Sequence, residues 1–199
     1  MFKSFAALTL VAVVLAGCTT TTKESTAEEI QASVFVSGQQ PKLTLMTMVN
    51  NRSGAGGHSA LLVQGSQTVI FDPAGTYIHP RVPERGDVLY GMSPGWLQNY
   101  KSAHARSNFH VVSQEFVVTP AQAERALQLV QANGPVQSAM CANTTSALLA
   151  QIPGFQSIRQ VYFPLKLMQQ VAELPGVKTT RYYEDDEGNV SDGIKVLPE

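Results

Sequence analysis

Cysteine is scarce in this chain, because its 199 residues include only Cys18 and Cys141. The sequence has no CxxC pair and no closely spaced set of cysteines and histidines, although structural zinc sites are built from such pairs. A zinc site made from His58, Asp72 and Cys141 is therefore disfavoured. We expect the protein to need neither a metal nor another cofactor.

An excess of charge of one sign is also lacking. Lys and Arg number 14 and Asp and Glu number 15, which gives a formal net charge of −1, and no basic run occurs. The lack of a basic patch argues against nucleic acid as a partner. The sequence shows no internal repeat and no glycine-rich phosphate loop. Hydrophobic residues at 44% and charged residues at 15% are typical of a globular chain.

The amino-terminal apolar run is too short to cross a bilayer. It comprises the 12 uncharged residues Phe5–Ala16, which follow the positive charge of Lys3. This length is typical of the central region of an export signal. The run closes with Leu15-Ala16-Gly17-Cys18, which resembles the lipobox of bacterial lipoproteins. The resemblance implies that residues 1–17 are a signal peptide and that Cys18 is acylated by fatty acids such as palmitate.

The residue after the lipobox cysteine bears on location. Lipoproteins retained at the inner membrane usually have Asp there, whereas this chain has Thr19. The resemblance therefore implies a lipid anchor in the outer membrane, with the protein facing the periplasm. An ordinary cleaved signal with a chance cysteine is the alternative. Residues 18–31 are polar and lack aromatics, so we expect a flexible tether before one domain over residues 32–199.

Strand patterns precede helix patterns along that domain. Alternation of apolar and polar residues predicts strands in ASVFVSG and KLTLMTMVN. HSALLVQG and QTVIFDPAG, separated by Gly65-Ser66, are predicted to form a hairpin. Further strands are predicted in GDVLYGM and FHVVSQEFVV, with a loop or short helix in SPGWLQNYKSAHARSN. Helices are predicted in AQAERALQLVQANG after Thr119-Pro120, in AMCANTTSALLAQI and in PLKLMQQVAEL. The tail from Val177 is predicted to be a hairpin. This order indicates an α+β fold.

Cys141 falls at a predicted helix start. With Ser138 as the N-cap, Cys141 occupies the third helical position, where free N–H groups and the helix dipole favour a thiolate. If Cys18 is acylated, Cys141 has no partner for an intramolecular disulfide. An unpaired thiol in an exported protein is a candidate nucleophile. The alternative is a buried cysteine that only packs.

His58 is the histidine with the most suggestive context. It follows small residues that end at Gly57 and opens an apolar strand, whereas His79, His104 and His110 lie in loops or within a strand. Asp72 ends the next strand of the same predicted hairpin. A carboxylate beside a histidine fixes its tautomer and favours its charged form. The alternatives are a strand-opening histidine and an aspartate that only starts the DPAG turn.

The order GGHSALLV, VIFDPAG and then MCANTTSALL resembles the permuted papain-like cysteine hydrolases, which include permuted NlpC-type peptidases and lecithin:retinol acyltransferase-like proteins. The resemblance implies an antiparallel sheet packed on helices, with the nucleophile at a helix amino terminus. It makes Cys141 the nucleophile, His58 the base and Asp72 the third polar residue. The Asn-Cys-Glu-His run of the acyltransferase branch is absent, which favours hydrolysis over acyl transfer to lipid.

Further residues are candidates for substrate binding. Gly57 permits close approach of a substrate or a helix, Gln137 is a candidate for the oxyanion hole, and Asn143 lies two residues after the thiol. Trp96 either lines a substrate groove or pins its own loop.

The sequence thus predicts a thiol hydrolase that cleaves an amide bond, and its compartment suggests peptidoglycan peptides as the substrate. Two alternatives stay open. One is a non-catalytic envelope lipoprotein that uses the same fold for binding or assembly. The other is an acyltransferase or thioesterase with the same Cys–His pair.

Overall fold

The computed structural model describes residues 23–194. The predicted signal peptide, the predicted acylation site Cys18 and the first part of the predicted tether lie outside the described residues. Within residues 23–194, none of the helices combines the length and the apolar character needed to cross a bilayer.

A seven-stranded antiparallel sheet organises the described part of the chain. Its strand order is β4-β5-β3-β2-β1-β6-β7, and every neighbouring pair is antiparallel. The strands are β1 (Lys42–Asn50), β2 (Gly56–Gln64), β3 (Thr68–Phe71), β4 (Glu84–Arg85), β5 (Val88–Leu89), β6 (Phe109–Val117) and β7 (Lys178–Tyr182). β1 is an interior strand that pairs with β2 and β6 over nearly its full length.

Six helices occur among the described residues, and the α+β prediction is confirmed. They are α1 (Ala27–Ser33), α2 (Pro94–His104), α3 (Pro120–Asn133), α4 (Cys141–Leu149), α5 (Pro164–Ala172) and α6 (Val190–Gly193). The start of α3 agrees with its sequence signal, since Thr119 is the N-cap and its side chain accepts a hydrogen bond from the Gln122 N–H at 3.2 Å.

Side chains alternate between the two faces of the sheet along each strand, and a hydrophobic core covers each face. Leu43 and Leu45 of β1 belong to a core shared with α3, α4 and α5. Met46 and Met48 lie in a second core on the other face, together with Tyr100 of α2. This explains why β1 is buried on both sides and why its apolar and polar residues alternate poorly.

Two local predictions are wrong. ASVFVSG contains the last two residues of α1 and no strand, because the capping box of Thr26 and Glu29 starts a helix at Ala27 that runs to Ser33. The short strand predicted in GDVLYGM is confirmed as the two-residue β5. The tail is not a hairpin: β7 pairs with β6, and the chain then enters α6, for which Asn189 provides the N-cap.

The later part of the predicted tether is packed against the domain. Ser25 is buried, and its N–H donates to the Glu84 carbonyl at 2.8 Å. The Lys23 ammonium donates to three backbone carbonyls of the loop at 79–82, at 3.1 to 3.3 Å. Composition alone could not predict these contacts, because the carbonyls that Lys23 and Ser25 bind belong to residues far later in the sequence.

Candidate active site

Cys141 is the first residue of α4. Ser138 is not the N-cap: that position belongs to Met140, which makes no side-chain capping bond, and Cys141 is therefore the first helical residue and not the third. The reason is the backbone at Ala139, whose φ of 65° interrupts the helical path after Ser138. The thiol still lies at a helix amino terminus, where backbone N–H groups lack intrahelical acceptors.

The edge of β2 receives the start of α4. β3 pairs with β2 only from Leu61 onwards, so His58 and Ser59 have no β3 partner. The buried Ser59 approaches the Cys141 sulfur with its backbone N–H and its hydroxyl, and both groups favour the thiolate by lowering the pKa of Cys141. Because the pairing of β2 with β3 begins only at Leu61, the first part of β2 is free to contact the Cys141 thiol.

Two glycines before His58 allow other elements to approach closely. A Cβ on Gly57 would lie 2.8 Å from the Phe109 ring. A Cβ on Gly56 would lie 2.9 Å from both Pro164 Cβ and the Leu165 nitrogen at the start of α5. Such distances are too short for carbon atoms, so the small residues are required here by protein packing.

The hairpin of β2 and β3 brings His58 and Asp72 together. His58 Nε2 lies 2.7 Å from Asp72 Oδ1, and Asp72 is only 4% exposed. Since Nε2 donates to Asp72, Nδ1 is the nitrogen that remains to face the Cys141 thiol, with which His58 is in hydrogen-bonding contact. Gly75 folds over the carboxylate so closely that a Cβ there would lie 1.9 Å from Asp72 Oδ2.

A buried tyrosine holds the same carboxylate oxygen. The Tyr100 hydroxyl donates to Asp72 Oδ1 at 2.6 Å, and Tyr100 is fully buried. Its ring packs against Tyr77 with 5.2 Å between centroids. Because α2 is itself anchored in the second core, Tyr100 gives Asp72 a fixed position independent of His58.

Asp87 links the aspartate loop to the segment that leads into α4. Its carboxylate accepts hydrogen bonds from the Ala74 N–H at 2.9 Å and the Val136 N–H at 2.8 Å. Its backbone carbonyl accepts from the Asp72 N–H at 2.8 Å. One buried side chain therefore positions the loops that carry Asp72 and Cys141.

The electrostatics favour a charged Cys–His pair. Burial raises the pKa of the Cys141 thiol, but the hydrogen bond and charge of His58, with the N–H of Ser59, outweigh burial and lower this pKa to about 7. Burial lowers the pKa of His58, but the Asp72 carboxylate raises it to about 10. Although burial raises the pKa of Asp72, His58 and Tyr100 bring it below its ordinary value. Between about pH 7 and 10 the thiolate and the imidazolium coexist.

A second buried histidine lies beside the first. The ring of His104 stacks on that of His58 with 6.0 Å between centroids, and its Nδ1 donates to the Tyr100 carbonyl at 2.8 Å. Burial lowers the pKa of His104 to about 4, and the charge of His58 acts in the same direction, against the attraction of Asp72. His104 is therefore neutral near pH 7, with Nε2 as a hydrogen-bond acceptor.

The burial of His104 predicts a specific loss of stability in acid. Its pKa lies below the unfolded value of 6.5, so the unfolded chain binds more protons as the pH falls from 6.5 to about 4. Folding then loses about 1.4 kcal/mol per pH unit from this group, or about 3 kcal/mol over the window. His104→Asn, which can keep the bond to the Tyr100 carbonyl, should remove this contribution. Urea unfolding at pH 4.5 and 7 measures it, and parallel pH dependences of the two proteins would contradict the prediction.

A cavity of about 260 Å³ opens beside the two histidines. Its wall includes Met48, Gly57, Thr76 and Phe109 as well as His58 and His104. The cavity thus reaches the base of the Cys–His pair.

The other predicted binding residues do not line this cavity. Trp96 belongs to α2, and its ring packs on His79 with 4.6 Å between centroids, so it holds the loop of His79 against this helix. Asn143 is buried, and its Oδ1 accepts a hydrogen bond from Gln160 at 3.0 Å. The Gln137 side chain is exposed, and its backbone carbonyl accepts from the Met140 N–H at 3.2 Å.

Sequence reasoning missed four of the residues that shape the site. Ser59 and Asp87 gave only weak signals, although Asp87 follows a glycine in a turn. Tyr100 and His104 lie four residues apart, so they share a face of α2, and recognising this helix would have paired them.

Comparison with known proteins gives no match to a protein-family model, to a curated protein or to a solved structure. Among residues 23–194 no group of three or more His, Cys, Asp and Glu side chains has an arrangement suited to a metal ion.

Proposed function

We propose that this protein is a thiol hydrolase of permuted papain-like fold that cleaves an amide bond through Cys141, His58 and Asp72. The observation that carries the proposal is the convergence of these three residues from a helix start, a strand and the end of the next strand. The pKa of Cys141, about 7, adds a nucleophile that is about half ionised at neutral pH.

The reaction starts from the Cys141 thiolate and the protonated imidazole of His58. The Cys141 thiolate attacks the carbonyl carbon and forms a C–S bond, while N–H groups in the first turn of α4 stabilise the oxyanion. The C–N bond breaks as His58 gives its Nδ1 proton to the leaving nitrogen. Water then attacks the thioester and transfers a proton to His58. The carboxylic acid leaves, and the sulfur recovers its original state.

Asp72 acts through His58 in this scheme. Its carboxylate accepts a hydrogen bond from His58 Nε2–H, so Nδ1 is oriented toward the sulfur, and its charge stabilises the imidazolium that accompanies the thiolate. The order of the elements also supports the fold proposal, since the strand of His58 precedes the helix of Cys141. That is the order expected for a permuted papain-like chain.

The proposed location rests on residues 1–19. We infer that the chain is anchored to the bacterial outer membrane through an acylated Cys18 and faces the periplasm, where peptidoglycan peptides are the natural amide substrates. The mass of the purified protein checks this anchor, because the anchored form begins at Cys18 and carries acyl chains. An unacylated amino terminus at another residue would contradict it.

The hydrolase proposal predicts a product that depends on Cys141. Full-length protein in detergent is incubated with peptidoglycan fragments and with a panel of peptide amides, and products are identified by mass. Cys141→Ser should lower the rate at least about 1,000-fold, because a hydroxyl at this position is not ionised by His58. Cys18→Ser is the matched control and should leave the rate in detergent unchanged. Equal product yields from the wild-type and Cys141→Ser proteins, or no product from any amide, would refute the proposal.

A further inference from the structure

The cavity beside His58 has an unusual wall for a site that contains an ion pair. Apart from the two histidines, its lining includes Met48, Phe109 and Val190, and none of the described lining residues is Asp, Glu, Lys or Arg. Asp72 lies behind His58 and uses Oδ1 for His58 and Tyr100. The charge of His58 is already paired with Asp72, so a charged group that entered this cavity would find no unpaired side chain of opposite charge to replace its lost water.

The charge of the site acts against anions in particular. Above about pH 7 the Cys141 thiolate and the Asp72 carboxylate outnumber the single positive charge of His58. His104 adds no charge above about pH 4. A carboxylate bound beside this set meets a net charge of −1.

The volume of the cavity limits what it can hold. At about 260 Å³ it is smaller than the range of roughly 300–1,000 Å³ typical of sites for drug-sized ligands. It accommodates a group the size of one amino-acid residue or a short acyl chain.

We propose that this cavity is a substrate subsite that selects a small, uncharged, mainly apolar group next to the scissile amide. The proposal rests on the proposed function, because it gives the substrate class of the same Cys–His site. A neutral residue such as alanine fits these requirements, whereas a free carboxylate or an ammonium group does not. Specificity arises from the cost of removing water from a charge inside a wall whose only charged side chain, His58, is already paired with Asp72.

The test compares matched reagents that alkylate Cys141 in the full-length protein at pH 8. The three probes are 2-bromoacetamides whose nitrogen carries a propyl, a 2-carboxyethyl or a 2-aminoethyl group. Each rate is divided by the rate of the same probe with 2-mercaptoethanol thiolate, which has no second charged group, so that intrinsic reactivity cancels. The neutral probe should react at least about tenfold faster than the anionic probe, and faster than the cationic one.

A charge added to the cavity wall should change this preference. Thr76 is exposed and lines the cavity, so Thr76→Arg supplies the missing counter-ion and should raise the relative rate of the anionic probe several-fold. Ser157 is also exposed but does not line the cavity, and Ser157→Arg is the matched control that should change nothing.

The outcomes separate this proposal from the proposed function. Equal normalised rates, a preference for either charged probe, or the same response to both arginine variants would overturn the subsite while leaving Cys141-dependent hydrolysis intact. If Cys141 reacts with all three probes at the rates expected for a thiol with a pKa near 8.5, the activated Cys–His pair itself is contradicted.

Discussion

His58→Gln should lower the rate of alkylation of Cys141 by iodoacetamide about 30-fold at pH 6. In the wild-type protein the charge and hydrogen bond of His58 hold the pKa of Cys141 at about 7. Without them the pKa returns at least to the free-thiol value of about 8.5, and the thiolate fraction at pH 6 falls by that factor. Rates measured from pH 5 to 10 give the two pKa values directly.

The same variant should lose hydrolysis more severely than it loses alkylation. Alkylation needs only the thiolate, whereas amide cleavage also needs the proton that His58 gives to the leaving nitrogen. Loss of proton transfer lowers kcat/KM by a further factor of about 100 to 10,000. In the wild type, kcat/KM should rise with pH through about 7, as the thiolate forms, and fall through about 10, as the imidazolium loses its proton.

His110→Gln is the matched control for His58→Gln. His110 contacts Asn51 and stacks on Tyr183, with 4.5 Å between ring centroids, and it does not line the cavity beside His58. It should leave both pH profiles unchanged. A Cys141 pKa near 8.5 in the wild-type protein, or one that His58→Gln does not raise, would establish a packing cysteine and exclude the activated pair.

Asp72→Asn should reduce kcat for amide hydrolysis by a factor of roughly 1,000 to 10,000. The amide keeps the size of the carboxyl group but removes the charge that stabilises the imidazolium. The pKa of His58 should therefore fall, and the pKa of Cys141 should rise because its positive neighbour is less often charged. The measurement is the pH dependence of kcat beside that of alkylation, and both should move in these directions together.

The loss of Asp72 should also destabilise the fold, with a pH dependence of known sign. The folded-state pKa of His58 is raised, so its contribution is complete below about pH 6.5 and disappears as the pH rises toward 10. The pKa of Asp72 is lowered, so its contribution is present above about pH 4 and lost in stronger acid. Breaking this buried pair costs about 3–5 kcal/mol where both contributions are present.

Urea unfolding of Asp72→Asn at pH 5.5 and pH 9.5 checks this window, and the larger deficit should occur at pH 5.5. Asp185→Asn changes an exposed aspartate and serves as the control for the loss of one carboxylate. A variant that hydrolyses at the wild-type rate while keeping a folded domain would mean that Asp72 only shapes its turn.

Local sequence signals determined several elements and three site residues. The Thr119-Pro120 start of α3 is encoded by a hydroxyl that caps the first turn and a proline that fits there. The β2–β3 hairpin follows from alternating apolar residues around a short turn, and it makes the proximity of His58 and Asp72 readable from their spacing. Such signals succeed because caps and hairpins are formed by residues close together in the chain.

Other features depended on contacts between distant segments. Ser138 is a good capping residue by type, but the left-handed backbone at Ala139 moved the start of α4 to Cys141. The tail could form a hairpin with itself, yet β6 offered an unpaired edge that β7 occupies. In both places tertiary packing overrode a local preference worth only about 1 kcal/mol.

By itself, the sequence determined the α+β class, the main strands and helices, and the three residues on which the proposed chemistry rests. Only the tertiary structure decided what surrounds them: the Tyr100 and Asp87 hydrogen bonds, the neutral His104 and a cavity whose described wall contains no Asp, Glu, Lys or Arg. The physical reason is that burial sets both the cost of a charge and the pKa of a side chain. Burial at one position is the sum of contacts from the whole chain.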